Sequence, residues 1–141
     1  MSESLGDVDV DVAQWPDPLW ISAPADGSQV RVVRRRLSRW LHSDHLDPDV
    51  ADDLVMAASE ALENCCDHAF SGSAAGGTMT LTAQASDATL TITVADDGRW
   101  QEAPAEPGIR GRGLAMMREL VDDVAIESGP EGTQLALTHH Y

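Results

Sequence analysis

Two neighbouring stretches of the chain alternate between apolar and polar residues, which is the pattern of β-strands with one buried face. In residues 78–86 the odd-numbered positions are apolar, and in residues 89–97 the even-numbered positions 90, 92 and 94 are apolar. The dipeptide Ser86-Asp87 between them is short enough for a hairpin turn. The alternation predicts a sheet with one buried and one wetter face, and helices over the buried face.

Apolar residues recur every three or four positions in two segments before those strands, as in amphipathic helices. The first helix is predicted to begin around residues 26–28 and to end near His42. The second is predicted to begin with Asp47 as its cap and Pro48 as its first helical residue. It is expected to end near Phe70, where a glycine-rich segment follows.

Shorter elements complete the pattern. A strand candidate over 19–22 precedes the first helix, and a loop rich in glycine and proline follows Gly98. A third helix is predicted over about 114–121, and strands are predicted near 124–128 and 133–139. Because the order β-α-α-β-β-loop-α-β-β has no regular alternation of parallel crossovers, it predicts an α+β two-layer sandwich rather than a Rossmann or barrel fold.

Charge narrows the range of partners. The chain of 141 residues carries 24 acids, 9 bases and a net charge of −15, so the phosphates of nucleic acids and acidic membranes would be repelled. No apolar run approaches the roughly 20 residues of a membrane span, and no signal peptide is recognised. We therefore expect a cytoplasmic protein. Residues 1–17 contain five acids and no base and are predicted to be a disordered tail, with the domain over 18–141.

The two cysteines are adjacent in the second predicted helix. Adjacent helical side chains diverge by about 100°, which disfavours a disulfide between Cys65 and Cys66. A zinc site built from His42 and His45 with Cys65 or His68 is also disfavoured, because structural zinc sites usually show two tight ligand pairs. Small buried thiols are the expectation.

Two polar residues take core-facing positions at strand ends. Asp96 has the parity of the apolar positions of its strand, and Thr133 shares the parity of Leu135. A buried carboxylate is costly unless something donates hydrogen bonds to it, so the pair suggests the floor of a pocket. An adenine amino group would suit Asp96. The alternative is a turn-capping aspartate and a satisfied threonine.

The second helix carries Glu60, Asn64 and His68 at positions i, i+4 and i+8. These side chains span only about 80° and border the apolar face. An asparagine oxygen there can bind Mg²⁺ shared with phosphates, while a glutamate stays free as a base. The alternative is an ordinary polar edge of an amphipathic helix.

The segment 108–114 places glycines before a predicted helix. Glycines let backbone N–H groups approach phosphate oxygens, a helix N-terminus favours anions, and Arg110 and Arg112 add positive charge. The segment lacks the Walker A pattern, and a glycine-rich loop alone is weak evidence.

In this order, the three signals resemble the motifs of the GHKL ATPase superfamily. Segment 59–69 looks like its N box, 94–98 like its first glycine box, 111–114 like its second, and Gly132-Thr133 like its third. The resemblance is most specific to the anti-sigma factor serine/threonine kinases, in particular the short actinobacterial-type ATPase domains, and covers about residues 18–140. It implies the Bergerat fold, with a mixed, mostly antiparallel sheet covered on one face by three helices.

The resemblance also implies ATP and Mg²⁺ as cofactors and a role for each matching residue. Asp96 would accept the adenine amino group, with Gly98 leaving room for the base and Thr133 supporting the contact. Asn64 would coordinate Mg²⁺. Glu60 would act as general base or orient the attacking seryl hydroxyl.

A lid over the phosphates is implied for Gly111, Arg112, Gly113 and Leu114. His68 matches a motif position, where it would either contact the nucleotide or only pack.

The implied function is an ATP-dependent serine/threonine kinase that phosphorylates a STAS-type anti-anti-sigma protein and sequesters a sigma factor; a homodimer is also compatible. A different hypothesis is a nucleotide-responsive binding switch without useful phosphotransfer. Its support is Trp100, which stands at the usual second glycine of the first glycine box, although related short domains accept an aromatic residue there. The ATPase half of a histidine kinase is disfavoured, because no dimerisation helix with a phosphoacceptor histidine precedes the domain.

The first predicted helix also concentrates positive charge. It holds five of the nine bases, all of them arginine: Arg31, Arg34, Arg35, Arg36 and Arg39. Three of these are spaced by four residues and share one side of the helix. Two interpretations stay open, a solvated face paired with nearby acids and a docking surface for an acidic partner.

Overall fold

A computed structural model describes residues 17–42, 46–72, 77–97, 107–129 and 132–141, with the backbone alone for 68–72, 107–112 and 128–129. Its elements follow the predicted order: β1 Leu19–Pro24, α1 Gly27–Leu41, α2 Pro48–Gly72, β2 Thr78–Ser86, β3 Thr89–Asp96, α3 Pro107–Leu120, β4 Asp123–Gly129 and β5 Gly132–His140.

The five strands form one sheet in the order β1-β2-β3-β5-β4. Every neighbouring pair is antiparallel, so the α+β class is confirmed and the sheet is more uniform than the mixed one implied by the resemblance. The β2–β3 turn lies at Asp87-Ala88, one residue later than predicted, because Ser86 still pairs with Thr89. Asp87 has a φ of 52°, a backbone conformation that aspartate tolerates better than most residues.

Side-chain alternation sets the position of the core. The even-numbered residues of β3 are buried, and so are the odd-numbered residues of β2 apart from the half-buried Ala85, which agrees with the predicted alternation. Leu81 and Ile92 from the sheet join Leu37 from α1, Leu62 from α2 and Met117 from α3 in one hydrophobic cluster. The helices therefore cover the sheet face that the apolar alternation marks.

The first two helices begin where their caps were predicted. The Asp26 carboxylate accepts hydrogen bonds from the backbone N–H groups of Ser28 and Gln29 at 2.9 and 3.2 Å. Asp47 precedes Pro48, the first residue of α2, and α2 extends two residues beyond the predicted end. Both starts agree with the preference for aspartate at the cap and proline at the first helical position.

The start of α3 is different from the prediction. A loop was expected through Gly113 and a helix from about Leu114, but the helix already begins at Pro107. The prediction of a loop over 107–113 is therefore wrong. Glycine costs about 1 kcal/mol per residue in a helix relative to alanine, and such a propensity is readily overridden by tertiary packing. Here Met117 anchors the helix in the core.

Candidate functional site

The central feature of the site is a pair of buried polar residues on adjacent strands. Asp96 ends β3 and lies directly across from Thr133 near the start of β5. Asp96 is 9% exposed and Thr133 is 7% exposed. The predicted core-facing orientation of both side chains is confirmed, because side-chain direction alternates strictly along a strand.

The Thr133 hydroxyl is unsatisfied. Its Oγ1 is buried and has no hydrogen-bond partner among the described residues. Buried hydroxyl groups are normally hydrogen-bonded, and an orphan costs about 1–3 kcal/mol. The alternative of a satisfied threonine is therefore wrong for the described part of the chain. An unsatisfied group of this kind is what a polar ligand would complete.

Gly132 permits the close approach of β5 to Asp96. Its φ is 136°, which side-chain-bearing residues rarely adopt, and a Cβ placed on it would lie 2.0 Å from the backbone oxygen of Asp96. Only glycine fits this position. The glycine of the Gly132-Thr133 motif thus has a structural reason: it lets the two strand ends meet beside Thr133.

A small pocket opens over this pair, with α2 on one side and the sheet on the other. Its lining residues are Ala61, Asn64, Cys65, Val94, Asp96, Ile126, Thr133 and Leu135. The pocket encloses about 20 Å³, enough for about one water molecule. A purine ring is larger, so it could enter this pocket only if the lining opened.

Asn64 therefore shares a pocket with Asp96 and Thr133, three residues that the sequence motifs singled out separately. The amide of Asn64 is half-buried on α2. Among the described residues, no three His, Cys, Asp or Glu side chains are grouped as a metal site of their own would require. A Mg²⁺ ion held by one protein oxygen and by phosphates fits this set, since Mg²⁺ usually keeps few protein ligands.

Glu60 lies against the glycine-rich half of α3. A Cβ placed on Gly113 would lie only 2.8 Å from Glu60 Oε2, so the carboxylate occupies the space that a side chain at Gly113 would need. Glu60 is half-buried, as its position at the border of the apolar face predicted. The glycine brings the predicted base and the second glycine motif into contact.

The other residues predicted for the lid have a helical backbone. Gly111 and Arg112 belong to the first half of α3, and the Arg112 side chain is outside the described residues. Leu114 is partly buried and packs against the core. The structure therefore describes this segment as a helix, not as the glycine loop that the sequence suggested.

Besides the Arg112 side chain, other predicted positions lie outside the described residues: Gly98, Trp100 and the side chain of His68. The predicted acidic tail also lies outside them, except for Asp17.

Sequence reasoning missed Cys65 as a member of the site. Burial is the largest cause that raises the pKa of the Cys65 thiol well above its usual range, and the charge of Asp96 and a hydrogen bond to that carboxylate add to the shift. The thiol therefore stays protonated at neutral pH and can donate to Asp96. The available signal was its position four residues after Ala61 on the core face of α2. Both cysteines are buried and unbonded to each other, as expected.

The family model of the histidine kinase-like ATPase domain matches residues 23–139. The anti-sigma F factor of Caldanaerobacter subterraneus subsp. tengcongensis is 30% identical in an alignment of length 109, and the match covers 67% of this chain and 75% of that protein. The sensor histidine kinase PdtaS of Mycobacterium tuberculosis is 42% identical over 53 residues, only 38% of this chain and 11% of PdtaS.

Solved structures agree with the fold. The RsbU and RsbW domains of Rv1364c from Mycobacterium tuberculosis match with a TM-score of 0.72 and 31% identity, covering 89% of this chain and 32% of that one. This chain thus spans about a third of that protein chain. The SiaB–SiaC complex from Pseudomonas aeruginosa matches with a TM-score of 0.60 at 13% identity, over 99% of this chain and 98% of that one, which is a likeness of fold alone.

The chain therefore belongs to the histidine kinase-like ATPase domain family and, within it, to the anti-sigma serine kinase family. The resemblance carried by the sequence motifs is confirmed. In the part of the chain that the structure describes, no helix is long and apolar enough to cross a membrane.

Proposed function

We propose that this protein is an ATP-dependent serine/threonine protein kinase that acts as an anti-sigma regulatory factor. Its substrate would be a STAS-type anti-anti-sigma protein, and phosphorylation of that protein would release the kinase to bind and sequester a sigma factor. The observation that carries the proposal is the orphaned Thr133 hydroxyl beside buried Asp96, in one pocket with Asn64. These polar groups suit the hydrogen-bonding groups of a nucleotide, and an apolar core would not need them.

The role proposed for the pocket floor is recognition of the base. The Asp96 carboxylate accepts hydrogen bonds only, so it suits an exocyclic amino group. The Thr133 hydroxyl can donate its single proton to a ring nitrogen of the base, which would supply the partner that it lacks among the described residues. Cys65, protonated because of its raised pKa, holds Asp96 from the α2 side. Gly98 is proposed to leave room for the base.

The roles proposed for α2 concern the phosphates and the hydroxyl that attacks them. Asn64 would supply a neutral oxygen to Mg²⁺, and the bound Mg-ATP would supply the phosphoryl group. Glu60 would hold the substrate hydroxyl and take its proton, which is the work of a general base. Its contact with Gly113 would fix its distance from the segment that closes over the phosphates.

The lid and the remaining assignments are also proposals. Arg112 would place its guanidinium near the phosphates, and Gly111, Gly113 and Leu114 would form the rest of the lid. His68 would contact the nucleotide or pack beside it. The domain limits, the cytoplasmic location and a homodimer stay predictions, and the names of the anti-sigma F factor and RsbW relatives support the sigma and STAS partners.

The decisive experiment measures transfer of labelled γ-phosphate from Mg-ATP to candidate STAS proteins from the same genome. We expect transfer to a serine or threonine of one candidate. Glu60→Gln should retain nucleotide binding and reduce the transfer rate by about 10²-fold or more, the usual worth of a positioned general base. Asn64→Ala should lose the Mg²⁺-dependent part of nucleotide affinity.

Glu63→Gln is the matched control, since Glu63 is an exposed glutamate on the same helix. It should behave as the wild type does. Equal losses in Glu60→Gln and Glu63→Gln would refute the role of Glu60. Nucleotide binding by calorimetry without transfer to any candidate would favour the binding switch, for which Trp100 in the first glycine motif is the specific observation.

A further inference from the structure

A groove lined by arginines lies away from the nucleotide pocket, on the outer side of α1. It has a volume of about 530 Å³ and is lined by Arg31, Arg34, Arg35, Ser38, Arg39, His42 and Val55. Four of the seven lining residues are arginines, and Val55 of α2 provides the opposite wall. The groove shares no lining residue with the pocket that contains Asp96.

These arginines are exposed and unpaired within the described part of the chain. Of the ion pairs among described residues, those recorded are His42 with Asp52 at 3.2 Å and His139 with Asp122 at 3.3 Å. The expectation that acids near α1 neutralise its arginines is therefore wrong for the described residues. In a protein with a net charge of −15, a cluster of unpaired guanidinium groups is a strong local site for carboxylates.

The distances between the arginines along α1 indicate which backbone conformation of an acidic ligand would fit the groove. Arg31, Arg35 and Arg39 succeed one another at i, i+4 and i+8, which separates them by about 6 Å along the helix axis. Every second residue of an extended chain is separated by about 6.6 Å. Three carboxylates on alternate residues of an extended segment would therefore face the three arginines in register.

The chain itself contains such a segment. Residues 7–12 read Asp-Val-Asp-Val-Asp-Val, so that the carboxylates of Asp7, Asp9 and Asp11 alternate with valines. No other stretch of the sequence places three acids on alternate positions in this way. The segment is outside the described residues.

The first described residue, Asp17, lies beside the last turn of α1. Trp40 Nε1 donates a hydrogen bond of 2.9 Å to the backbone oxygen of Asp17, which ties the chain beside the last turn of α1. The six residues from 11 to 17 can span about 20 Å, which is enough to reach around the helix to Arg39. Asp11 would then meet Arg39, and Asp7 would meet Arg31.

We infer that the arginine groove binds extended acidic segments with carboxylates on alternate residues, and that residues 7–12 of the same chain occupy it. Bound in this way, the segment runs parallel to α1 and neutralises its arginines. An acidic segment of another protein must displace it before using the same groove. The N-terminal segment therefore acts as an intramolecular competitor of any acidic partner that binds this surface.

The test uses the full chain and a fluorescent peptide of residues 5–14, with binding followed by anisotropy at low salt. The tethered segment has an effective concentration in the millimolar range, so it competes strongly with an added peptide that binds at about 0.1 mM. We expect the peptide to bind the Asp7→Asn, Asp9→Asn, Asp11→Asn triple variant about tenfold more tightly than the wild type. Added salt should weaken this binding, since the contacts are ionic.

A matched pair of arginine changes locates the site. In the triple-variant background, Arg35→Gln should weaken peptide binding by about fivefold, as expected for the loss of one exposed ion pair of about 1 kcal/mol. Arg36→Gln should change it by less than about twofold, because Arg36 is an exposed neighbour that does not line the groove. A peptide with the three aspartates made contiguous should bind more weakly than the native order.

Several results would overturn the inference. Equal peptide affinity for the wild type and the triple variant would show that the segment does not occupy the groove. Equal effects of Arg35→Gln and Arg36→Gln, or no binding to the triple variant, would remove the groove as the site. If the weaker binding of the peptide to the wild type depends on protein concentration, the groove is occupied by the segment of a second copy. The contact within one chain is then refuted. None of these measurements requires nucleotide, so the inference can fail independently of the kinase proposal.

Discussion

Replacing Thr133 by valine should stabilise the protein and weaken its affinity for nucleotide at the same time. The hydroxyl of Thr133 is buried without a partner among the described residues. Valine has nearly the same shape but replaces the hydroxyl by a methyl group, so the desolvation cost of the orphan disappears. Orphans of this kind cost about 1–3 kcal/mol, and we take about 1 kcal/mol as the expected gain in the free energy of unfolding.

For a domain of this size, a gain of about 1 kcal/mol corresponds to a rise in Tm of about 3–4 °C. The same hydroxyl is proposed to hydrogen-bond the base, and the loss of one such bond costs about 1 kcal/mol of binding, or about a fivefold higher Kd. Thermal unfolding without nucleotide and calorimetric titration with Mg-ATP measure the two effects separately.

Thr93→Val provides the control, because Thr93 is a half-buried threonine of the same sheet on the face away from the core. It should leave the nucleotide Kd unchanged. The reasoning is refuted if Thr133→Val lowers the Tm while nucleotide affinity stays at the wild-type value. That outcome would mean that the hydroxyl is satisfied in solution and does not contact the ligand.

Three further outcomes follow from the structure. Gly113→Ala should fold normally, with up to about 1 kcal/mol of added helix stability, but should reduce phosphotransfer about tenfold or more because its Cβ displaces Glu60; a normal rate would refute the contact. Gly132→Ala should destabilise the fold by about 3 kcal/mol or more, since it combines backbone strain with a clash against Asp96, and urea unfolding would measure this. Burial raises the pKa of Cys66 to about 11, so at pH 8 only about 0.1% of it is thiolate and its alkylation should be about 100-fold slower than that of a free thiol. Since the raised pKa favours the neutral thiol of the folded state, the free energy of unfolding should fall as the pH rises from about 9 towards 11; a constant value over that range would contradict the assignment.

The floor of the pocket could be predicted from the sequence because strand geometry is periodic. Once Leu90 and Ile92 are assigned to the core, the two-residue repeat fixes the face of Asp96 without further information. The same holds for Thr133 relative to Leu135. The alternation within each strand does not determine how β3 and β5 are aligned with each other. It is this register that places Asp96 opposite Thr133.

Other features depended on tertiary contacts and were not predictable in this way. The contact of Cys65 with Asp96 depends on how α2 lies over the sheet, and no local pattern encodes that. The early start of α3 could not be predicted from the low helix propensity of its glycines, because the packing of Met117 in the core depends on the tertiary structure. The choice between a paired and an unpaired Arg35 could not be made from the sequence, because a sequence shows how many acids exist but not how far away they lie.

The glycines of α3 have a kinetic consequence. Three of its first seven residues are glycine, so this half of the helix is about 3 kcal/mol less favourable than an alanine helix, while Met117 anchors the other half. Access to the site can then be governed by a helix that shortens and lengthens at one end, without a hinge. Helix–coil relaxation takes about 0.1–1 μs, whereas kinases turn over at about 1–100 per second. Opening of this kind would equilibrate many thousands of times within each cycle of the proposed kinase and would not limit its rate.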